Sequence, residues 1–151
     1  MLLTSTTFRA GQAIPASSTC NGDDLSPHLQ WSEIPVSTRS FGLIADDPDA
    51  PRGTWVHWLL FNLPADAIEL APGVPRNPQL PSGARQGVND FGDIGYNGPC
   101  PPRGKPHRYF FRLYALDCTL NLAPGLKRPD LDAAIEGHVL AEATLMGTFQ
   151  R

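Results

Sequence analysis

The 151-residue sequence predicts a mainly β fold, a sandwich of short strands joined by long loops, with one helix near the C-terminus. Proline and glycine are abundant, with 16 and 14 residues, and proline is unfavourable inside helices and in central strands. Short apolar runs are bounded by turn-forming residues, which is typical of buried strands. The length is that of one domain, so a single domain is predicted over residues 1–151.

The predicted strands follow from the apolar runs. Residues 40–45 (SFGLIA) and 57–63 (HWLLFNL) are continuously apolar and therefore predict strands that are buried on both faces. Residues 108–117 (RYFFRLYALD) carry aromatic and aliphatic side chains on both faces, which predicts a strand in the middle of a sheet. Shorter strands are predicted over residues 2–8, 29–31 and 84–89.

One helix is predicted over residues 130–146. Leu131, Ile135 and Val139 recur at a spacing of four, Pro and Asp suit the first turn, and Gly147 suits the end. The segment 91–106 (FGDIGYNGPCPPRGKP) holds four Gly and four Pro and cannot be regular structure. Ordered loops of this length are usually functional.

Charge and cysteine content bear on the class of partner. The 12 basic and 15 acidic residues give a net charge of −3, which disfavours nucleic-acid binding. Cys20, Cys100 and Cys118 are odd in number and widely spaced, so three reduced thiols in a cytoplasmic protein are predicted. No signal peptide or membrane span is recognised, and stable membrane insertion is not expected.

Polar residues concentrate beside turns at three places. Asp47 and Asp49 follow the apolar strand at 40–45, His57 begins the next apolar strand, and His107 and Tyr109 share one face where the long loop enters the aromatic strand. If these strands are neighbours, the side chains surround a small cavity in which Asp47 orients a histidine. Together with loop amides, they would bind a small oxyanion such as phosphate.

Purely structural interpretations and other kinds of site remain open alternatives for the same residues. The acidic turn can serve only its own hydrogen bonds, and His57 can be a core histidine. A metal site of Asp47, His57 and His107 lacks a supporting spacing, and Cys100 as a nucleophile lacks a sign of activation. Histidine acid–base hydrolysis of a phosphoester is a further alternative. We therefore expect no metal, no cofactor and no enzymatic activity.

Five motifs in order carry a resemblance to a known family. On them the sequence resembles the phosphatidylethanolamine-binding protein family, in its bacterial and archaeal Raf kinase inhibitor-like branch, over nearly the whole chain. The motifs are Asp47-Pro-Asp-Ala-Pro51, Trp55-Val-His57-Trp58, Gly95-Tyr-Asn-Gly-Pro-Cys-Pro-Pro102, His107-Arg-Tyr109 and Gly137-His-Val-Leu140.

The resemblance implies a Greek-key sandwich of two antiparallel sheets with an anion-binding pocket at the strand ends. It also implies a cis bond before Pro51. The pocket residues it implies are Asp47, Ala50, Pro51, Trp55, His57, Gly98, Cys100, Pro101, His107 and Tyr109.

The resemblance further implies a regulatory binding protein and a homodimer. Inhibition of a kinase or a protease through protein contacts is the alternative function. Mammalian members carry an additional C-terminal helical segment near the pocket mouth, whereas this chain stops at Arg151. We therefore expect a more open pocket, or one that a partner chain closes.

Overall fold

A computed structural model describes residues 1–151 as two antiparallel sheets and one α-helix, which confirms the predicted fold class. The larger sheet has the strand order β6-β4-β3-β7-β8, and the smaller has the order β1-β2-β5. The elements are β1 Leu2–Thr4, β2 Leu29–Ser32, β3 Ser40–Asp47, β4 Trp55–Pro64, β5 Glu69–Leu70, β6 Arg85–Gln86, β7 His107–Leu116, α1 Arg128–Ile135 and β8 Val139–Phe149. A 3₁₀ turn covers Ala16–Ser18.

The larger sheet is covered on both faces. One face packs against the small sheet around Leu43, Trp58 and Phe111, and the other packs against α1 through Leu131 and Ile135. Strands covered on both faces read as continuous apolar runs, which is why β3 and β4 were recognisable in the sequence. The one α-helix has only eight residues, too few to span a bilayer.

Strand pairing brings the polar residues to one edge of the larger sheet. The end of β3 pairs with the start of β4, with Asp47 opposite Trp55. The other neighbour of β3 is β7, whose Phe110 lies opposite Asp46. Because both pairings are antiparallel, the end of β3 and the starts of β4 and β7 lie together.

The helix prediction is wrong beyond residue 135. Gly137 has a φ of +80°, which ends the helical path, and β8 then pairs with β7 along its whole length. Buried Ala143 and Leu145 alternate with exposed neighbours, so residues spaced by four also fit one face of a strand. The backbone hydrogen bonds between β8 and β7 favour a strand over a helix for residues 139–149.

The N-terminal segment borders the last part of β8. Ala13 lies opposite Thr148 in a parallel bridge, and the N–H of Gly11 donates to the carbonyl of Met146 at 2.7 Å. Gly147 lies beneath this segment, and a Cβ there would lie 2.6 Å from the ring of Phe8. This glycine permits close packing within a strand and does not end a helix.

Two further sequence expectations are wrong. Cys20 and Cys100 form a disulfide with a Cα–Cα distance of 5.4 Å, so Cys118 is the one free thiol. The two cysteines meet because the 3₁₀ turn and the long loop pack together, with the Tyr96 hydroxyl donating to the carbonyl of Ser18. The peptide bond before Pro51 is trans, as are all others, so the expected cis bond is absent.

Candidate functional site

A cavity of about 180 Å³ opens where β3, β4 and β7 meet the long loop. Nine of the ten residues predicted for the pocket line it, and Gly98 does not. Phe91 and Pro102 line it as well and were missed, although both belong to the Pro/Gly loop that the sequence marked as functional. The lining residues are Asp47, Ala50, Pro51, Trp55, His57, Phe91, Cys100, Pro101, Pro102, His107 and Tyr109.

Asp47 and His107 form the polar centre of the cavity. His107 Nδ1 lies 2.7 Å from Asp47 Oδ2, and the two side chains are 12% and 5% exposed. A carboxylate accepts, so Nδ1 carries the proton and Nε2 is left for other contacts. The N–H of Asp49 donates to the other oxygen of Asp47 at 2.8 Å. The carboxylate is thereby fixed and orients the imidazole.

His57 is buried beside this pair and has a defined tautomer. Its Nδ1 lies 2.6 Å from the carbonyl oxygen of Asn97, so Nδ1 donates and Nε2 keeps its lone pair. Burial lowers the pKa of His57, although the hydrogen bond to Asn97 and the charge of Asp47 oppose that effect. The ring is therefore neutral at pH 7, and its Nε2 has no partner in the chain and can accept a hydrogen bond.

The loop behind His57 is held by the side-chain amides of two asparagines. Asn89 is buried, and its Nδ2 donates to the carbonyl of Gly95 at 3.0 Å. The side chain of Asn97 donates to Asp93 at 2.9 Å. Neither asparagine was predicted as a site residue, since Asn in a Gly-rich loop is typical of a turn.

The hydroxyl of Tyr109 is the one buried side-chain polar atom without a hydrogen-bond partner. Burial is the main cause that raises the pKa of Tyr109, and the charge of Asp47 adds to it. The group thus stays protonated and can donate. Leaving a buried polar group unpaired costs about 1–3 kcal/mol, which a ligand or water at this position would offset.

Two aromatic side chains border the mouth of the cavity. Trp55 and Phe91 are 37% and 41% exposed, and their rings meet edge to face with centroids 5.5 Å apart. Phe91 also lies against the ring of His57, at 5.3 Å between centroids. The opening therefore has an apolar border around a polar interior.

The part of the long loop beside the cavity, residues 98–102, is held in place by three interactions. Cys100 is bonded to Cys20, and Arg151 Nε donates to the carbonyl of Pro101 at 2.7 Å. The N–H of Gly98 donates to Asp24 at 2.8 Å, so that amide is not available to a ligand. Gly98 is glycine because a Cβ would collide with the carbonyl of Ser18. The N–H of Cys100, in contrast, has no hydrogen-bond partner in the chain.

Asp49 serves the outer surface and not the cavity. Its carboxylate accepts two hydrogen bonds from the Arg108 guanidinium, each of 2.9 Å, and these lower the pKa of Asp49 to about 2. Arg108 lies on the opposite face of β7 from His107 and Tyr109, as strand alternation requires. Of the two carboxylates at this turn, that of Asp47 faces the cavity and that of Asp49 faces the solvent.

Comparison with known proteins identifies the family of this chain. The family model for phosphatidylethanolamine-binding protein matches residues 4–150. A relative from Methanothermobacter thermautotrophicus, named UPF0098 protein, is 52% identical over 91% of each chain. A relative of the same name from Aquifex aeolicus is 47% identical over 97% of this chain and 86% of its own.

Solved structures agree with the sequence matches. A crystal structure from Chlamydia trachomatis, described as a phosphatidylethanolamine-binding protein homologue, has a TM-score of 0.91 at 41% identity and covers 99% of this chain and 97% of its own. The Escherichia coli protein YbcL, described as a new member of the mammalian family, has a TM-score of 0.92 at 33% identity and covers 99% and 98%. Membership of this family supports, in general terms, a function in binding. The chain belongs to the phosphatidylethanolamine-binding protein family.

Proposed function

We propose that the cavity binds a small phosphate-type anion, or a phosphorylated group on a larger molecule, and that the protein acts as a regulator without chemical turnover. The observation that carries the proposal is the group of polar side chains in one cavity. The Asp47–His107 pair, a neutral His57 and the unpartnered Tyr109 hydroxyl all border the same space.

The groups in the cavity match the chemistry of a phosphate. The Tyr109 hydroxyl is a donor, and Nε2 of His107 is an acceptor in the neutral ring and a donor in the imidazolium. Nε2 of His57 is an acceptor. A phosphate that carries one proton offers both acceptor oxygens and a donor, so it can satisfy all of these groups at once.

The size and border of the cavity favour a group on a larger molecule. About 180 Å³ is smaller than the roughly 300–1,000 Å³ of pockets for drug-sized ligands, so only a headgroup fits inside. The exposed rings of Trp55 and Phe91 at the mouth can then contact whatever carries that group. The same exposed rings favour the second candidate function, inhibition of a kinase or protease by protein contact.

The cavity residues support binding over catalysis. Cys100 is in a disulfide, and no serine, threonine or lysine lines the space. Both oxygens of the Asp47 carboxylate are engaged, one with His107 and the other with a backbone N–H. A carboxylate nucleophile requires a free oxygen, which Asp47 does not offer.

The test is an amide NMR titration with inorganic phosphate and with phosphoethanolamine at about pH 6. We expect shifts confined to residues 47–57 and 91–109, loss of binding in His107→Ala, and weaker binding in Tyr109→Phe. His138→Ala is the matched control, since it removes a histidine that is paired with an aspartate elsewhere. Absence of shifts at millimolar ligand, or equal binding by His107→Ala, would refute the proposal.

The homodimer and the cytoplasmic location stay predictions. The location rested on three reduced thiols and on the lack of a recognised signal peptide. The Cys20–Cys100 bond removes the first support, because disulfides persist mainly in oxidising compartments. Light scattering measures the oligomeric state. Cell fractionation of the native protein measures the location.

A further inference from the structure

A second group of reactive side chains lies at the far end of β7. Asp117 follows this strand directly, Cys118 comes next, and His138 immediately precedes β8. The ten residues that separate Asp117 from His107 span roughly 30 Å of strand, so this group is remote from the cavity. Any function it has is independent of the function proposed above.

The side chains converge on one point. Their possible ligand atoms, a carboxylate oxygen, a thiol sulfur and an imidazole nitrogen, all lie within 4.8 Å of one another. His138 Nδ1 lies 2.8 Å from Asp117 Oδ1. In a tetrahedral zinc site, bonds of about 2.0–2.3 Å place neighbouring ligand atoms about 3.3–3.8 Å apart. Small side-chain rotations therefore suffice to reach that geometry.

The backbone already fixes the positions of these residues. The N–H of Asp117 donates to the carbonyl of His138 at 3.0 Å, which continues the β7–β8 ladder by one step. The carbonyl of Cys118 accepts a hydrogen bond from the Ser40 hydroxyl at 2.6 Å. Strands β3, β7 and β8 thus fix the backbone at residues 117–118 and at residue 138. Only side-chain rotation is then needed to bind an ion.

The ligand set defines the class of metal. A thiolate and an imidazole are ligands for zinc and similar transition metals, whereas calcium and magnesium require oxygen atoms. Three protein ligands leave a fourth position for water or another molecule. Side-chain exposures of 45% for Asp117 and 47% for His138 keep the cluster accessible from solvent.

We propose that Asp117, Cys118 and His138 form a surface site for Zn²⁺ or a similar divalent transition metal, with the fourth position open. Metal binding displaces the proton of the Cys118 thiol to solvent, whereas neutral His138 binds through Nδ1 and carries its single N–H proton on Nε2. Because Cys20 and Cys100 are bonded to each other, Cys118 is the only thiol that can serve.

The test uses Co²⁺ as a spectroscopic probe and Zn²⁺ as the competitor, on the full chain without reductant. We expect a near-ultraviolet thiolate-to-cobalt charge-transfer band and the visible bands of tetrahedral Co²⁺, both displaced by Zn²⁺. Cys118→Ser should abolish the charge-transfer band, and His138→Gln should weaken binding at least about tenfold. Circular dichroism checks that both exposed-site variants remain folded.

His107→Ala is the matched control and should bind Co²⁺ as the unmodified protein does. A spectrum without a thiolate band would overturn the proposal. So would a band that persists in Cys118→Ser, unchanged affinity in His138→Gln, or loss of binding in His107→Ala, which would place the metal in the cavity.

Discussion

The two ends of β7 hold the same three residue types in different states. At the cavity, the Asp47–His107 pair is buried with a contact of 2.7 Å, and the nearby Cys100 is in a disulfide. At the far end, the Asp117–His138 pair has a contact of 2.8 Å but is nearly half exposed, and Cys118 is free.

This difference shows that surroundings decide what a set of residues can do. In the cavity, low dielectric strengthens the bond between aspartate and histidine and makes an unpaired group costly. At the surface, water and salt weaken the same bond. The first environment suits a fixed binding site, and the second leaves side chains free to rearrange around an ion.

The largest expected effect is at the disulfide, which exists only at the cavity end. Reduction should lower the free energy of unfolding by about 4 kcal/mol in the chain-entropy account, since Cys20 and Cys100 are 80 residues apart. Urea unfolding with and without reductant measures the loss. Cys118→Ser should show the same loss on reduction, and a loss below about 1 kcal/mol would mean that other contacts hold the loops together.

The matched pair of histidines tests the comparison directly. His107→Ala should lower the free energy of unfolding by about 2–3 kcal/mol, because it removes a hydrogen bond to a buried carboxylate. His138→Ala should change it by less than about 0.5 kcal/mol, because the pair it breaks is exposed. Urea unfolding at pH 7 compares the two, and equal losses would contradict the role given to burial.

The smallest effect concerns His57 and pH. Burial lowers the pKa of His57 in the folded state, so the unfolded chain binds its proton first as pH falls. This residue therefore costs no stability above its unfolded pKa of about 6.5, and below it the loss grows by at most about 1.4 kcal/mol per pH unit. Urea unfolding at pH 7.5, 6 and 5 should show a steeper loss for the unmodified protein than for His57→Gln, and parallel curves would contradict this account.

Sequence patterns captured the centre of the fold and the polar residues of the cavity, and the family resemblance supplied most of its other lining residues. The apolar runs of β3 and β4 and the aromatic run of β7 are unambiguous because both faces of the larger sheet are covered. His107 and Tyr109 could be placed on one face by alternation alone. Their approach to Asp47 depends on which strands are neighbours, and local sequence does not determine this. The family resemblance implied only that these residues share a pocket.

The errors arose where local patterns permit two structures or where distant segments meet. The spacing of Leu131, Ile135 and Val139 fits a helix throughout, yet pairing with β7 converts its last part into β8. Cys20 and Cys100 are brought together by loop packing that no spacing reveals. The family resemblance implied Gly98 as a pocket residue, but its N–H donates to Asp24, 74 residues away in sequence.

The bridge between Ala13 and Thr148 has a consequence for solubility. Strand β8 is the last strand of its sheet, and an exposed strand edge is a template for pairing with other chains. Residues 11–14 occupy the C-terminal part of that edge, with hydrogen bonds from Gly11 and Ile14 to the carbonyls of Met146 and Thr148. Residues 11–14 thereby shield this part of the β8 edge from pairing with other chains. A recombinant form without the N-terminal segment would leave the unpaired backbone groups of that edge exposed.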